Sequence, residues 1–248
     1  MRRRLAPVAV GAALLLGACL PGDADEPDDT GRSSSSSASS SSASATPAAK
    51  ADTFDEPHRR ELTQEQIDRA LPTIDDVPKG YGPNMSDGGD DWEYKPKRCA
   101  AVEFNSPTVK DFKKKHHSVG GAAKYSQAED RGGGFLGVWI DSYDEPYPLA
   151  YFDEAGEELS NCAEYTQASD GFQMVTKTTP ITAPQVDGAD RVFTLRIDSG
   201  DKAIDRLYVR SGHNRILVTQ MTPTRRPFDE RRLTKHAEAV LADLKKDS

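Results

Sequence analysis

The hydrophobic and polar positions of the chain switch between two periods, and the switches mark its elements. Val119 to Gln127 and Phe135 to Tyr143 flank the turn-rich stretch Glu129-Asp130-Arg131-Gly132-Gly133-Gly134, and the second run contains Val138, Trp139 and Ile140, which is a hairpin signal. Four more segments alternate or are β-branched: Phe172 to Thr179, Arg191 to Ile197, Ala203 to Arg210 and Arg215 to Met221. The separators Ser199-Gly200-Asp201 and Gly212-His213-Asn214 are short enough for consecutive antiparallel pairing, whereas Pro180 to Gly188 is a longer connection. Helical spacing appears in three places. Thr63 and Gln66 form a capping-box pair, with Leu62 and Ile67 placed for a hydrophobic staple, ahead of a short helix ending at Leu71 and Pro72. Leu149, Phe152, Leu159 and Cys162 recur at intervals near three and four, and Leu233, Ala237, Val240, Leu241 and Leu244 share one face of a C-terminal helix over Asp229 to Lys246. Thr73 to Glu93 reads as loop. The expected fold class is α+β: an antiparallel sheet of about six strands packed against two or three helices, covered mainly on one face, with one disulfide.

The first 54 residues follow neither period. Arg2, Arg3 and Arg4 precede an apolar run from Leu5 that stops at Cys19, too short for the roughly 20 residues of a membrane-spanning helix. Residues 1–18 therefore read as a removed export signal. The rest of a twin-arginine pattern is missing. Leu16-Gly17-Ala18-Cys19 resembles the bacterial lipobox, which implies acylation of the Cys19 thiol and cleavage before it. One acyl chain holds a protein only marginally and several anchor it stably. Residues 19–54 have almost no large apolar side chain, are acidic at first, and are nearly all serine from Ser33 to Ser44. They read as a disordered tether of about 35 residues, with a mean end-to-end distance of roughly 30 to 35 Å. Residues 55–248 remain as one domain with a sizeable core.

Charge narrows the partners. The chain of 248 residues has 32 basic and 40 acidic side chains, and loss of the three signal arginines leaves 29 against 40, a formal charge of −11. Phosphate neutralisation needs a basic surface, so nucleic acid is excluded as an expected partner. With Cys19 lipidated, Cys99 and Cys162 form an even pair in an oxidising space and are expected to be bridged. The expected location is the outer face of the cytoplasmic membrane, exposed to the cell wall.

The layout, with Leu62-Thr63-Gln64-Glu65-Gln66 and Asp75-Asp76-Val77-Pro78-Lys79-Gly80-Tyr81, resembles a group of actinobacterial lipoproteins related to the extracellular sensor domain of PknH-like serine/threonine kinases. The resemblance runs from about Glu61 to Lys246 and includes a mid-chain helix carrying a disulfide cysteine, here Cys162. It implies a ligand- or partner-binding domain with no catalytic residues to carry over. The kinase domains have two disulfides, whereas this chain can form one.

The motifs that carry chemistry elsewhere are in the wrong context here. Gly132-Gly133-Gly134-Phe135-Leu136-Gly137 satisfies GxGxxG, but a strand follows it where a dinucleotide site needs a helix. Ser199-Gly200-Asp201-Lys202 satisfies SxxK inside an expected hairpin turn. His58, His116, His117, His213 and His236 have no ligand spacing, and His236 is expected at the surface. Asp87, Asp90 and Asp91 break the EF-hand order. No metal or cofactor is expected. The candidate ligand-binding cluster is aromatic and acidic: Tyr143, Asp144, Glu145, Tyr147 and Tyr151 where a strand passes into a helix, with Trp92 and Tyr94 on a loop near Cys99 that the disulfide could bring close. Such a set suits sugar rings or a cation; the competing reading is core-edge packing. The expected function is capture of a small molecule, a wall fragment or an envelope protein. Two alternatives stand beside it: an accessory module of an envelope complex, and an envelope hydrolase.

Overall fold

Among the described residues, nine antiparallel strands make one sheet in the order β1-β3-β4-β9-β8-β7-β6-β5-β2. They are β1 (Tyr81–Pro83), β2 (Glu93–Lys95), β3 (His117–Gln127), β4 (Phe135–Tyr143), β5 (Glu164–Ser169), β6 (Phe172–Pro180), β7 (Arg191–Ser199), β8 (Lys202–Ser211) and β9 (Asn214–Pro223). Among the described residues four α-helices accompany them: α1 (Gln64–Ala70), α2 (Pro107–His116), α3 (Ala150–Leu159) and α4 (Glu230–Lys245). The structure, a computed structural model, describes residues 54–85, 92–128, 130, 132–169, 171–223 and 226–246. The signal, Cys19, the tether up to residue 53 and the Asp87, Asp90 and Asp91 loop lie outside the described residues. Among the described residues no helix is long and apolar enough to cross a membrane.

The α+β class holds, but the sheet is larger than the six strands expected. β1 and β2 are three-residue strands at the two edges, too short to show alternation, and β5 is polar except for Tyr165 and Ala168. Helix α2 was hidden because only Val109 and Phe112 of its ten residues are buried. The expected capping box is present on α1, where the Thr63 hydroxyl accepts from the Gln66 amide and Gln66 Oε1 accepts from the Thr63 amide at 2.7 Å. Helix α3 stops at Leu159, so Cys162 lies in the turn after the helix rather than on it, still fully buried.

Both faces of the sheet are covered, which corrects the one-face expectation. On one face α1 and α4 pack over Val138 and Ile140 of β4, Ile216 and Val218 of β9, and Leu207 and Val209 of β8. The intervening residues point the other way. Phe193, Leu195, Ile197 and Tyr208 meet Phe104, Phe112, Phe152 and Ala155 from the α2 and α3 side. This is the period-2 pattern of strands buried on both faces.

The chain enters the described fold at Phe54. Its ring meets His213 edge-on at 5.6 Å and the guanidinium groups of Arg59 and Arg210 at 5.0 and 5.5 Å. Residues 58–62 are then fastened to one end of the sheet: Asn214 donates to the carbonyls of His58 and Arg60, Ser211 to that of His58, and Ser142 accepts from the Leu62 amide. Asp190 joins Arg59 and Arg210 there, at 2.7 and 2.6 Å. Gly212, with φ +58°, turns β8 into β9 directly against the Arg59 carbonyl, where a Cβ would overlap it.

Candidate functional site

Along the face covered by α4, three adjacent strands change character part-way. In β9 the inward stripe runs Ile216, Val218, then Gln220 and Thr222; in β8 it runs Val209, Leu207, then Asp205; in β7 it runs Val192, Thr194, Arg196. The register aligns the polar residues into one transverse row, Gln220 opposite Asp205 and Asp205 opposite Arg196, with Leu136 of β4 beside Gln220. The apolar stripe of α4 begins at Leu233 and covers only the apolar rows. The polar ends are roofed instead by residues 226–232, and a cavity of about 630 Å³ lies between them. A second cavity of about 290 Å³ adjoins it, sharing Gln220 and Arg232 and walled by Asp75, Asp76, Val77, Tyr81, Lys235 and His236.

Arg196 organises the first cavity. It holds Asp205 by two parallel bonds, Nε to Oδ1 at 2.7 Å and Nη2 to Oδ2 at 2.9 Å, and its Nη1 donates to the Arg226 carbonyl at 3.0 Å. Burial pushes the Asp205 carboxyl up and the Arg196 charge opposes this. Arg232 pairs with Asp229 at 3.4 Å. The guanidinium groups of Arg226 and Arg231 have no carboxylate partner among the described residues. On the floor, Gln220 is 6% exposed and its side-chain amide makes no hydrogen bond among the described residues, and the buried Thr222 hydroxyl has no partner there either. Buried polar groups are normally paired, so an unfilled floor facing an open cavity is a site with unused binding capacity.

In the second cavity Asp76 accepts from the amide and hydroxyl of Thr73, both at 2.8 Å, and these bonds hold its carboxyl below the usual range. His236 is half-buried here, not at the surface as expected. Burial, then Lys235, lower its pKa, and Asp76 opposes them.

The expected aromatic cluster is divided and mostly buried. Tyr143 and Tyr147 are fully enclosed, with ring centroids 5.1 Å apart and Phe112 against both; burial drives both phenols well above their ordinary range. Their rings present no surface to a ligand, which is the core-packing outcome. Asp144 and Glu145 are exposed and turn toward His116, at 2.9 and 3.9 Å. Tyr151 is half-buried against Phe112. Trp92 is half-buried against Phe172, while Tyr94 is buried against Tyr165. Those two belong to the cluster around the Cys99–Cys162 disulfide, whose Cα atoms are 5.5 Å apart, and not to that of Tyr143 and Tyr147. The disulfide therefore does not assemble the two aromatic groups into one cleft.

Beside the disulfide lies a polar knot that no sequence spacing announced. Glu103 Oε1 accepts from the Tyr165 hydroxyl and the Gln167 amide, and Oε2 accepts from Arg206 Nη1. The remaining motifs are structural. Gly132 and Gly133, at φ +111° and +56°, make the β3–β4 turn, and Gly137 leaves room for the Trp139 ring to lie across its strand. Lys202 of the SxxK match pairs with Ser199 in the β7–β8 hairpin. Among the described residues no group of three or more His, Cys, Asp or Glu could hold a metal ion.

No family model and no curated protein matches the sequence. Among solved structures, the chain is similar to the extracellular domain of PknH from Mycobacterium tuberculosis, with a TM-score of 0.56 and 10% identity over 76% of this chain and 100% of that one. An uncharacterised protein of Mycobacterium smegmatis, the Rv0999 ortholog, matches with a TM-score of 0.38 and 15% identity, over 69% of this chain and 92% of its own. The likeness to the PknH domain is one of fold, and it agrees with the resemblance drawn from the sequence.

Proposed function

We propose that this protein is an extracytoplasmic lipoprotein, anchored through acylated Cys19, whose sensor-like domain captures a ligand or partner in the cleft under α4 without catalysing a reaction. The observation that carries the reading is the cleft floor, where the buried Thr222 hydroxyl has no protein partner among the described residues and the side-chain amide of Gln220, a residue 6% exposed, makes no hydrogen bond among them either. The fold shared with the extracellular domain of a mycobacterial protein supports the compartment, and so does a single disulfide closing the only cysteine pair left after Cys19. The small-molecule, wall-fragment and envelope-protein classes all fit a cleft of this size at the membrane surface.

Two measurements test the reading. Intact mass of the chain purified from membranes is expected to show acyl groups, and Cys19→Ala is expected to release the protein. An unacylated, freely secreted wild-type protein overturns the anchor. A photo-crosslinking residue in place of Glu230, at the cleft rim, is expected to label a cell-envelope component that the same residue in place of the exposed Glu157 on α3 does not. Equal labelling at both positions, or none at the rim, overturns the cleft.

A further inference from the structure

The roof of the larger cavity is the first turn of α4. The first amides of a helix lack intrahelical acceptors and carry a partial positive charge. Asp229 at the N-cap gives them no side-chain bond, and its carbonyl takes only the Arg232 amide of the first three, which leaves those of Glu230 and Arg231. Arg226 and Arg231 stand at the same opening without a carboxylate partner among the described residues. The acids of the lining are mostly spent: Asp205 is closed by Arg196 and Asp229 by Arg232, which leaves the exposed Glu230 at the rim. Below, Gln220, a residue more than nine-tenths buried, supplies an amide donor that nothing described in the chain uses.

We propose that this cleft binds an oxyanion, a phosphoryl or carboxylate group, held by the α4 first-turn amides and by Arg226 and Arg231, with the Gln220 amide donating from the floor. The proposal rests on the reading of the cleft as the binding site and names its chemistry. Guanidinium forks match planar or tetrahedral oxyanions with charge-assisted bonds, and a helix N-terminus adds aligned amides. The cavity exceeds a bare ion, so the oxyanion belongs to a larger molecule whose body extends past Gln220 toward Leu136, Val77 and Tyr81. That body is either a soluble ester or acid, or the headgroup of an anionic lipid, and the two share the recognising group.

The test uses the full chain with Cys19→Ala, at constant ionic strength. Inorganic phosphate, acetate and glucose 1-phosphate are titrated while the Gln220 side-chain amide and the backbone amides of Glu230 and Arg231 are followed by nuclear magnetic resonance. Saturable shifts are expected at the Gln220 amide and most strongly at the Arg231 backbone amide, because the Arg232 amide already donates to the Asp229 carbonyl, with at least tenfold weaker binding in R226Q/R231Q and no change in R191Q, which lies elsewhere on β7. Arg226 and Arg231 are exposed, and an unchanged melting temperature verifies that the variant stays folded. Vesicles of phosphatidylglycerol and of phosphatidylcholine separate the sources. Sedimentation with the first alone, lost in R226Q/R231Q, identifies a lipid headgroup, and saturable glucose 1-phosphate binding without sedimentation identifies a soluble ligand. Absence of saturable shifts with every oxyanion, or binding that R226Q/R231Q leaves intact, overturns the proposal. If crosslinking at Glu230 still labels a ligand in that case, the cleft stands and only the oxyanion assignment falls.

Discussion

Replacing Glu103 by Gln isolates the energetics of the polar knot beside the disulfide. The Glu103 side chain is 3% exposed and receives Tyr165, Gln167 and Arg206 at once; the Arg206 side chain is 23% exposed and its Nε is buried without a hydrogen-bond partner among the described residues. Burial and the Glu103 charge push the Tyr165 phenol far up, so it remains a donor to the carboxylate at any working pH. An amide at this position removes the charge that compensates Arg206 and brings an NH₂ group toward existing donors. Breaking a buried pair from one side costs about 3 to 5 kcal/mol, and the partial exposure of Arg206 selects the low end, about 3 kcal/mol. For a domain of this size that lowers the melting temperature by roughly 6 to 12 °C. Removing both charges together behaves differently, because apolar groups of similar volume replace a buried pair at little net loss. Glu103→Leu with Arg206→Met is therefore expected to recover about 2 kcal/mol or more relative to the sum of the single variants. Urea denaturation followed by tryptophan fluorescence, with the disulfide verified as oxidised, gives all the required differences. A loss below about 1 kcal/mol in Glu103→Gln, or strict additivity in the double variant, would refute the reasoning.

Other perturbations report on other parts of the fold. Cys99→Ala with Cys162→Ala opens a covalent loop with a sequence separation of 63 and is expected to lower stability by up to about 4 kcal/mol in the chain-entropy account, read from the urea midpoint. Gly212→Ala places a Cβ on a left-handed backbone against the Arg59 carbonyl and is expected to destabilise by at least about 2 kcal/mol, whereas Gly200→Ala, also left-handed but in open space, costs only about 1 kcal/mol. His58 is buried, and burial lowers its pKa from the ordinary 6.5, with Glu56 opposing. A base with a depressed folded pKa binds its proton more readily when unfolded, so stability is expected to fall as pH drops below 6.5. His58→Gln removes part of that slope in urea midpoints measured across pH, and His236, lowered in the same direction, adds to what remains. An unchanged slope in His58→Gln defeats the assignment.

The parts of the fold legible in the sequence were those whose period lasts long enough to count. The central hairpins β3–β4, β7–β8 and β8–β9 have nine or more residues per strand and turns with left-handed glycines, and α4 repeats its apolar stripe five times. The edge strands β1 and β2 were not legible because three residues cannot establish alternation, and β5 hides behind Glu164, Thr166 and Gln167. The aromatic cluster misled for a physical reason: a tyrosine beside acids looks amphipathic in sequence, yet Tyr143 and Tyr147 turn wholly into the α2–α3 side of the core. The cleft left a fainter trace. Gln220, Thr222, Asp205 and Arg196 occupy positions whose parity matches the apolar residues of the same stripe, after Asp205 on β8 and before the others on β9 and β7, so each polar residue falls on a core-facing stripe. Read strand by strand this resembles ordinary fraying of a pattern. Only the register, which aligns the three strands, shows that the interruptions coincide.

The clasp around Phe54 bears on how the domain takes mechanical tension. Asn214 and Gln220 are six positions apart on β9, about 20 Å at the rise of an extended strand, so the point where the chain enters and the polar row lie toward opposite ends of the same strand. A pull arriving through the residues before Phe54 meets Arg59, Asp190 and Arg210, then the carbonyls of His58 and Arg60 held by Asn214 and Ser211. These bonds are anchored in the two central strands, and they must shear before strain travels along β9 to the row of Gln220. A domain fastened in this way would keep the shape of its far end under a pull applied at Phe54.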